Sequence, residues 1–435
     1  VLGAIGATGM IVAAMVGSGI FALTGQFGAS VGSPSGVLLP WVIGGVLALC
    51  GGLSLAELAS MLPCSGASIE GARRAYGPTV GYLAATVTIL AGYLLSTAVV
   101  ALFLAEYVDK LIPTDLPDTA LAAGAILLAL VTQLPGLRLG FASNTVLAVV
   151  KVAVIAAFVI GGLSVEVTDR LVAAPSGVVP TLASPQVATA VLLVSFAYLG
   201  WSTGADIAGD LRDPGRTIPL AMVASILVVT ALYLGVNVAY LRVIDPGAMV
   251  EAGGSGMRAI GSVAAGLLFG PEVGTAMTAA IALLLLSTVV SGVITGARIL
   301  ESMARAGEIP AWLGLRRPDG VPQRALIVVA GLSGAALAIG SLGDLLDLLT
   351  VLVNVFSALT VAALFVLRRT MPDAPRPFRV PLYPFVPAIY LALAGWTVIS
   401  SITTGGARAA WGSCACVIIL LMLRPLVRWR QANGA

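Results

Sequence analysis

Apolar residues run in long blocks along this chain, and polar residues collect between them. Twelve blocks stand out, at about 3–30, 37–60, 78–107, 118–134, 139–163, 186–208, 218–243, 271–301, 325–341, 345–367, 382–403 and 409–426. A helix needs about 20 apolar residues to cross the hydrocarbon of a bilayer, and most blocks are near that length. Helices are the form the pattern predicts, because an open strand would leave backbone N–H and C=O groups unpaired in lipid. The expected architecture is an all-α polytopic membrane protein: about 12 transmembrane helices in a single domain over 1–435. Two connectors look more than passive. Residues 62–77 (LPCSGASIEGARRAYG) predict a short interfacial helix, and residues 304–324, with Pro, Trp and Arg mixed, predict a segment along the membrane surface.

Composition agrees with lipid as the solvent. The chain is 59% hydrophobic and 10% charged, where a soluble domain carries roughly 25% charged residues. A net charge of +3 gives no reason to expect a nucleic-acid partner. Histidine is absent, so histidine metal sites and histidine general bases are excluded. With no paired acidic motif inside the blocks, neither an enzyme nor a bound metal or cofactor is expected. The four cysteines (Cys50, Cys64, Cys414 and Cys416) lie in or beside apolar blocks and form no disulfide framework. The first residues lack a basic stretch and a small-residue cleavage site, so they read as a first span rather than a cleaved signal peptide. Basic residues set the orientation. Loops after even-numbered blocks and the tail hold 17 of the 23, among them Arg73, Arg74, Arg212, Arg216, Arg316, Arg317, Arg368 and Arg376. Loops after odd-numbered blocks hold only Lys110, Arg170, Arg242, Arg258 and Arg408. Both termini are therefore expected in the cytoplasm, with Glu106, Asp109, Asp115 and Asp118 outside.

Two blocks are interrupted by glycine at matching places. The first reads MIVAAMVGSGIF over Met10–Phe21, and the sixth reads SFAYLGWSTGAD over Ser195–Asp206. Gly17, Gly200 and Gly204 mark the expected breaks. Each block opens a set of five, so blocks one to five (about 3–163) and six to ten (about 186–367) form two halves, with two helices (about 382–426) appended. Paired interrupted segments of this kind point to a transporter binding site. Unwinding frees backbone groups that must line a cavity or hold a ligand. The half-helix that starts at Gly19 offers N–H groups and a positive dipole end to a carboxylate, and the carbonyls before the break suit an ammonium. That combination is the part common to all amino acids. The competing reading is close helix packing, which membrane glycines also serve, and the chain has 51 glycines.

At these residues the sequence resembles the amino acid–polyamine–organocation (APC) transporters. The stretches are GSGIF (Gly17–Phe21), AELASMLPCSG (Ala56–Gly66), FAYLGW (Phe196–Trp201), DLRDPGRTIP (Asp210–Pro219) and RPFRVPLYP (Arg376–Pro384). They occur in the family's order across nearly the whole chain, and the last is most similar to bacterial relatives of the L-type neutral amino acid transporters. The resemblance implies a LeuT-like five-plus-five inverted repeat with helices 1 and 6 broken. It implies that backbone N–H groups of Ser18, Gly19 and Ile20 take the substrate carboxylate. Carbonyls near Met15, Phe196, Ala197 and Leu199 take the amino group. Phe196 caps the site, and Trp201 and Ser202 border the side-chain pocket, although plain packing also explains both aromatics. Departures are Gly209, where many relatives have Glu, Ser68-Ile69-Glu70 in place of an aromatic-rich loop, and Asp206. Asp206 could read a cationic substrate, relay protons, or pair with an arginine at the membrane rim.

Lys151 lies about 18 Å of helix rise from either end of block five, too deep to reach water easily, so it is a functional candidate. A structural amine paired with backbone carbonyls is the alternative. The resemblance places its ammonium where sodium-coupled relatives hold a cation, bridging toward Ser287 or Thr288, and so implies sodium-independent transport. Ser202 stands where relatives that exchange arginine or diamines carry Glu, and an unpaired buried cation costs several kcal/mol. A neutral amino acid is therefore the expected cargo, moved by alternating access, as exchange or proton-coupled uptake. Open alternatives are a carrier of cationic amino acids or polyamines, and a non-transporting amino acid receptor on the same fold. A channel would need a repeated filter element, which the sequence lacks. The expected location is the plasma membrane, the inner membrane of a bacterial cell. No cysteine lies in the external loop between blocks three and four, so no disulfide-linked ancillary subunit is expected.

Overall fold

The computed structural model describes residues 3–17, 19–64, 66–134, 142–166, 184–249, 257–317, 320–403 and 407–432. Every apolar block coincides with a helix or a bent pair of helices. Block one is α1 (Ala4–Met15) followed by α2 (Gly19–Val31), and block two is α3 (Pro34–Met61). The predicted connector helix is α4 (Ala67–Tyr76). Block three is α5 (Pro78–Ile89), a π-helical turn (Leu90–Leu95) and α6 (Ser96–Leu111). Blocks four and five are α7 (Asp118–Gln133) and α8 (Ala142–Ser164). Block six is α9 (Pro185–Ala197), a 3-10 turn (Leu199–Ser202) and α10 (Thr203–Asp206). Block seven is α11 (Pro214–Val243). A helix that the hydropathy pattern did not predict, α12 (Ile260–Phe269), precedes block eight, α13 (Pro271–Arg305). Blocks nine to twelve are α14 (Gln323–Ala336), α15 (Leu342–Thr370), α16 (Phe385–Thr403) and α17 (Ala407–Ala432).

Among the described residues, six helices are long and apolar enough to cross a membrane, and eight when each bent pair counts as one span. Outward positions are apolar too, on a spanning helix such as α11 and on the shorter apolar helix α7. Leu127, Leu128 and Val131 on α7, and Leu227 and Val228 on α11, are exposed. Water would not tolerate so much apolar surface, whereas lipid requires it.

Local signals explain where key helices begin. Both α3 and α9 start at a Ser-Pro pair: Ser33 Oγ accepts from the Gly36 N–H at 3.1 Å, and Ser184 Oγ from the Val187 N–H at 3.3 Å. The serine caps a donor left over at the helix start, and proline is already set to a helical φ at a position that needs no N–H.

The chain divides into two compact units, each discontinuous in sequence. The first comprises 1–81, 148–281 and 354–405, and the second 82–147, 282–353 and 406–435. In the first, α3 packs on α11, α9 and α16, and α1 packs on α11. In the second, α7 packs on α6 and α14. Each unit holds one buried carboxylate that pins a connector. In the first, Glu57 is fully buried near the end of α3 and accepts from Arg368 Nε (2.9 Å) and Nη2 (2.6 Å) and from the Val380 N–H (2.7 Å). Arg376 approaches the same carboxylate at 3.5 Å and donates to the carbonyls of Leu367 and Met371, near the end of α15. The AELASMLPCSG and RPFRVPLYP stretches are thus two sides of one ion-pair cluster. In the second unit, Glu301 accepts from Arg316 at 2.5 and 3.1 Å and pairs with Arg305 at 2.9 Å. This ties the 304–324 connector to α13.

Candidate functional site

The two glycine-interrupted blocks are both bent, α1 against α2 by 45° and α9 against the turn and α10 by 52°. At the first break, Val16 turns extended (ψ 90°) after its N–H has closed the last helical turn on the Val12 carbonyl. Gly17 beyond it borders open space, the nearest neighbouring atom being the Met15 carbonyl oxygen at 3.8 Å from where a Cβ would stand. Ser18 lies outside the described residues. The second break occupies 198–202, and Gly204 falls beyond it, inside α10.

The two breaks lie against each other. A Cβ on Gly200 would stand 2.3 Å from the Ala14 carbonyl carbon and 2.4 Å from the Met15 nitrogen. A Cβ on Gly19 would stand 2.7 Å from the Ala197 Cβ. These glycines therefore let the two spans come backbone against backbone beside their breaks. The packing and binding readings of the glycines are not exclusive here: close packing is what brings the freed backbone groups together.

One residue that sequence reasoning missed joins them. Tyr233, fully buried on α11, shares its hydroxyl proton between the carbonyls of Met15 (2.7 Å) and Ala197 (3.0 Å), the last residues of α1 and α9. Such carbonyls have no partner within their own helix, and unpaired in lipid they would be costly. One turn on, Asn237 Nδ2 donates to the Tyr233 carbonyl at 2.7 Å, and Thr24 of α2 donates to Asn237 Oδ1 at 2.5 Å. Tyr240 follows on the same face, at 3.5 Å from the Ile20 carbonyl. The spacing i, i+4, i+7 puts all three on one stripe of α11. That stripe is the signal that could have found them: three polar-tipped residues at helical spacing in an apolar span. Behind it Trp41, Tyr198 and Tyr233 form an aromatic group with ring centroids 5.2 to 6.4 Å apart.

The remaining predicted residues fall as follows. Met15, Ile20, Phe196 and Ala197 are buried at the breaks, and Leu199 and Ser202 are half-buried in the second. Trp201 is buried with its ring against Tyr390 of α16 (centroids 5.9 Å apart) and close to Gly51 of α3. Among the described residues, Asp206 meets a serine rather than an arginine. Its carboxylate accepts from the Ser68 hydroxyl at 2.6 Å, because α4 brings that serine to the end of α10. Lys151 is buried within the first unit. Ser287 and Thr288 belong to the second, where Thr288 donates to the Leu284 carbonyl at 2.9 Å and the buried Ser287 hydroxyl has no hydrogen-bond partner among the described residues.

Two bent spans in contact through their freed backbone groups are what membrane transporters build around a small polar solute. The chain belongs to the amino acid permease family, whose profile matches residues 2–423, and it is a multi-pass membrane protein. It is similar to the serine/threonine exchanger SteT of Bacillus subtilis (strain 168), 25% identical over 93% of this chain and 91% of the relative. It is also similar to the mouse large neutral amino acids transporter small subunit 2, at 28% identity over 92% and 76% of the two chains. A third relative is the mouse b(0,+)-type amino acid transporter 1, at 26% over 95% and 84%.

Removing the Tyr233 hydroxyl tests the junction. Tyr233→Phe leaves two buried carbonyls without their donor, a loss of about 1–3 kcal/mol. The expected result is a lower unfolding midpoint in detergent together with amino acid flux reduced about tenfold. Unchanged flux in liposomes would mean that the tie does not position the breaks.

Proposed function

We propose that this protein carries neutral amino acids across the plasma membrane by alternating access, without sodium, as an exchanger or with protons. The observation that carries this reading is the meeting of the two breaks. The Gly19 end of α2 offers N–H groups to a carboxylate, and the carbonyl ends of α1 and α9 lie beside it. In this reading Ser18, Gly19 and Ile20 bind the carboxylate, while Met15, Phe196, Ala197 and Leu199 surround the amino group. With Tyr233 occupying the Met15 and Ala197 carbonyls, the remaining lone pairs of this group receive the ammonium.

Several features support the finer points. Ser202 is polar and uncharged, so a cationic side chain would find no carboxylate there. Asp206 was the main argument for a cationic cargo, and its carboxylate is already engaged by Ser68. The named cargoes of SteT and of the mouse large neutral amino acids transporter are neutral. Lys151, buried in span five, stands in for a coupling cation, staying charged if the protein exchanges and passing its proton on if it couples to protons. The proposed architecture is twelve spans in one transporter domain, with two inverted halves (about 3–163 and 186–367), two appended helices (about 382–426) and cytoplasmic termini. Its support is the make-up of the compact units. The first draws spans 1, 2 and most of 5 from one half and 6, 7, the start of 8 and part of 10 from the other. The second draws on 3 and 4 and on 8 and 9. Each unit thus draws on both halves, which supports the repeat reading. The chain is proposed to work without an ancillary subunit, although one relative is named a small subunit.

The test is uptake of labelled serine, threonine, leucine and arginine into proteoliposomes, with and without sodium and with and without an internal amino acid load. Neutral substrates are expected to enter without sodium, and Lys151→Ala to abolish the flux. A need for internal load identifies exchange, and a sufficient proton gradient identifies symport. Sodium-dependent uptake would sink the role given to Lys151. Arginine as the preferred substrate would overturn the neutral cargo, and Ser202→Glu is expected to admit arginine.

A further inference from the structure

α4 begins where α10 ends. Its first residue follows Gly66, which sits in the left-handed region at φ +74°, a conformation that glycine adopts without strain. This turn aims the start of α4 at the last residue of the second broken span. The Gly66 N–H donates to the Asp206 carbonyl at 3.0 Å, and the Ser68 hydroxyl donates to the Asp206 carboxylate at 2.6 Å. The backbone contact uses what helix ends leave over, a free donor at the start of α4 and a free acceptor at the close of α10, and the side-chain contact adds a hydroxyl donor to a carboxylate. The other charges on α4 are spent within it. Glu70 accepts from Arg73 at 2.7 Å and from Arg74 at 2.8 Å, which holds its carboxyl below the usual range despite partial burial. At its far end α4 is tied to α15, where Tyr76 donates to the Leu359 carbonyl at 3.1 Å.

The two sides of this contact are anchored very differently. The chain leading into α4 comes from α3, which the buried Glu57 fixes to Arg368 and Arg376. α10 is four residues long, follows a 52° bend, is half-buried at Asp206 and is held by packing against α1, α3 and α11. A fixed strut thus meets a short arm through one side-chain hydrogen bond and one backbone hydrogen bond.

We propose that Ser68 and Asp206 are a positioning pair, a releasable latch that holds the second arm of the broken sixth span against α4 and lets go when that arm moves during transport. The role in transport rests on the carrier reading above, whereas the contact itself can be measured without any flux. A natural reporter lies beside it. Cys64, two residues before Gly66, is half-buried, and burial together with the Glu70 charge pushes its thiol pKa up. Opening of the latch should expose it.

The experiment uses the full chain with Cys64 as its only cysteine (Cys50, Cys414 and Cys416 replaced by alanine). It is held in nanodiscs so that a maleimide reaches both faces. Ser68→Ala and Asp206→Ala are expected to raise the labelling rate of Cys64 about tenfold each, the scale set by losing one charge-assisted hydrogen bond. The double variant should label no faster than either single one, because all three lose the same contact. Ser68→Thr, which keeps the hydroxyl, should restore slow labelling. In liposomes the alanine variants should change the maximal rate of uptake and leave the substrate concentration at half-maximal rate unmoved. Labelling at the parental rate in both single variants overturns the latch, as does an additive double variant. A parent that labels as expected but shows no flux for any amino acid would instead sink the carrier reading and, with it, the latch's part in transport.

Discussion

Glu57→Gln is expected to destabilise the fold by about 3–5 kcal/mol, the cost of stripping one partner from a buried ion pair. The carboxylate has no exposure at all. It neutralises Arg368 through two short hydrogen bonds and lies 3.5 Å from Arg376, whose own side chain is 6% exposed. Arg368 also lies over the Tyr383 ring at 3.7 Å, so it cannot swing to water without giving up a further favourable contact. A glutamine keeps the shape but leaves two guanidinium groups without a counter-charge. It also offers the Val380 N–H a weaker acceptor. The matching change in the second unit, Glu301→Gln, should cost much less. Its partners Arg305 and Arg316 are about half exposed (54% and 48%) and can be rehydrated, so that pair falls nearer the range of surface ion pairs, about 0–1 kcal/mol. Unfolding midpoints in detergent at one fixed scan rate, taken for both variants, check the ranking. Arg368→Gln should cost less in the Glu57→Gln background than alone, because the two residues share one interaction. Equal midpoints for Glu57→Gln and the parent would remove the cluster from any structural role.

Much of this fold was legible because lipid makes hydropathy nearly sufficient. A span must be long, apolar and helical, so each apolar block became a helix or a bent pair. α12 escaped because ten residues are too few for a span, and it follows the glycine-rich stretch EAGGSG. The breaks were legible because glycine inside an apolar helix carries a cost, so two such segments at matching positions ask for a reason. What the sequence could not supply was the pairing of distant residues. Glu57 and Arg368 are 311 positions apart, and Ser68 and Asp206 are 138 apart. Each of these polar residues could be noticed alone, and Ser68 and Asp206 both stood out as departures from the family pattern. Nothing along the chain said that the two departures meet. Tyr233 was overlooked for a different reason, although its stripe with Asn237 and Tyr240 could be read at helical spacing. One tyrosine in an apolar helix reads as packing until the carbonyls of two other helices are found on its hydroxyl. The neighbours of Trp201 were out of reach for the same reason as the ion pairs, since its ring meets Tyr390 of α16 and Gly51 of α3, both far off along the chain.

Gly200→Ala is expected to lower amino acid flux by about a hundredfold, the scale that a displacement of about 1 Å costs a set of positioned groups. The added methyl carbon would stand 2.3 to 2.5 Å from three backbone atoms of Ala14 and Met15. Backbone cannot rotate away as the tip of a side chain can, so the second break must shift off the first. The Tyr233 hydroxyl then cannot span both carbonyls, and the N–H and C=O groups meant for one substrate no longer converge. Gly19→Ala should act in the same direction and less severely, because its nearest neighbours, the Ala197 Cβ and Cα, stand farther off at 2.7 and 2.9 Å. Gly124→Ala is the control. It lies on α7, where a Cβ meets nothing within 4 Å, and there alanine only improves the helix by about 0.4–1 kcal/mol. Flux in proteoliposomes, read beside the unfolding midpoint of each variant, separates a displaced site from a damaged fold. Overpacking alone should cost about 1–3 kcal/mol, enough to lower the midpoint while leaving a folded population to assay. Parental flux through Gly200→Ala would mean that the two breaks need not touch, and the site would have to be sought along one of them alone.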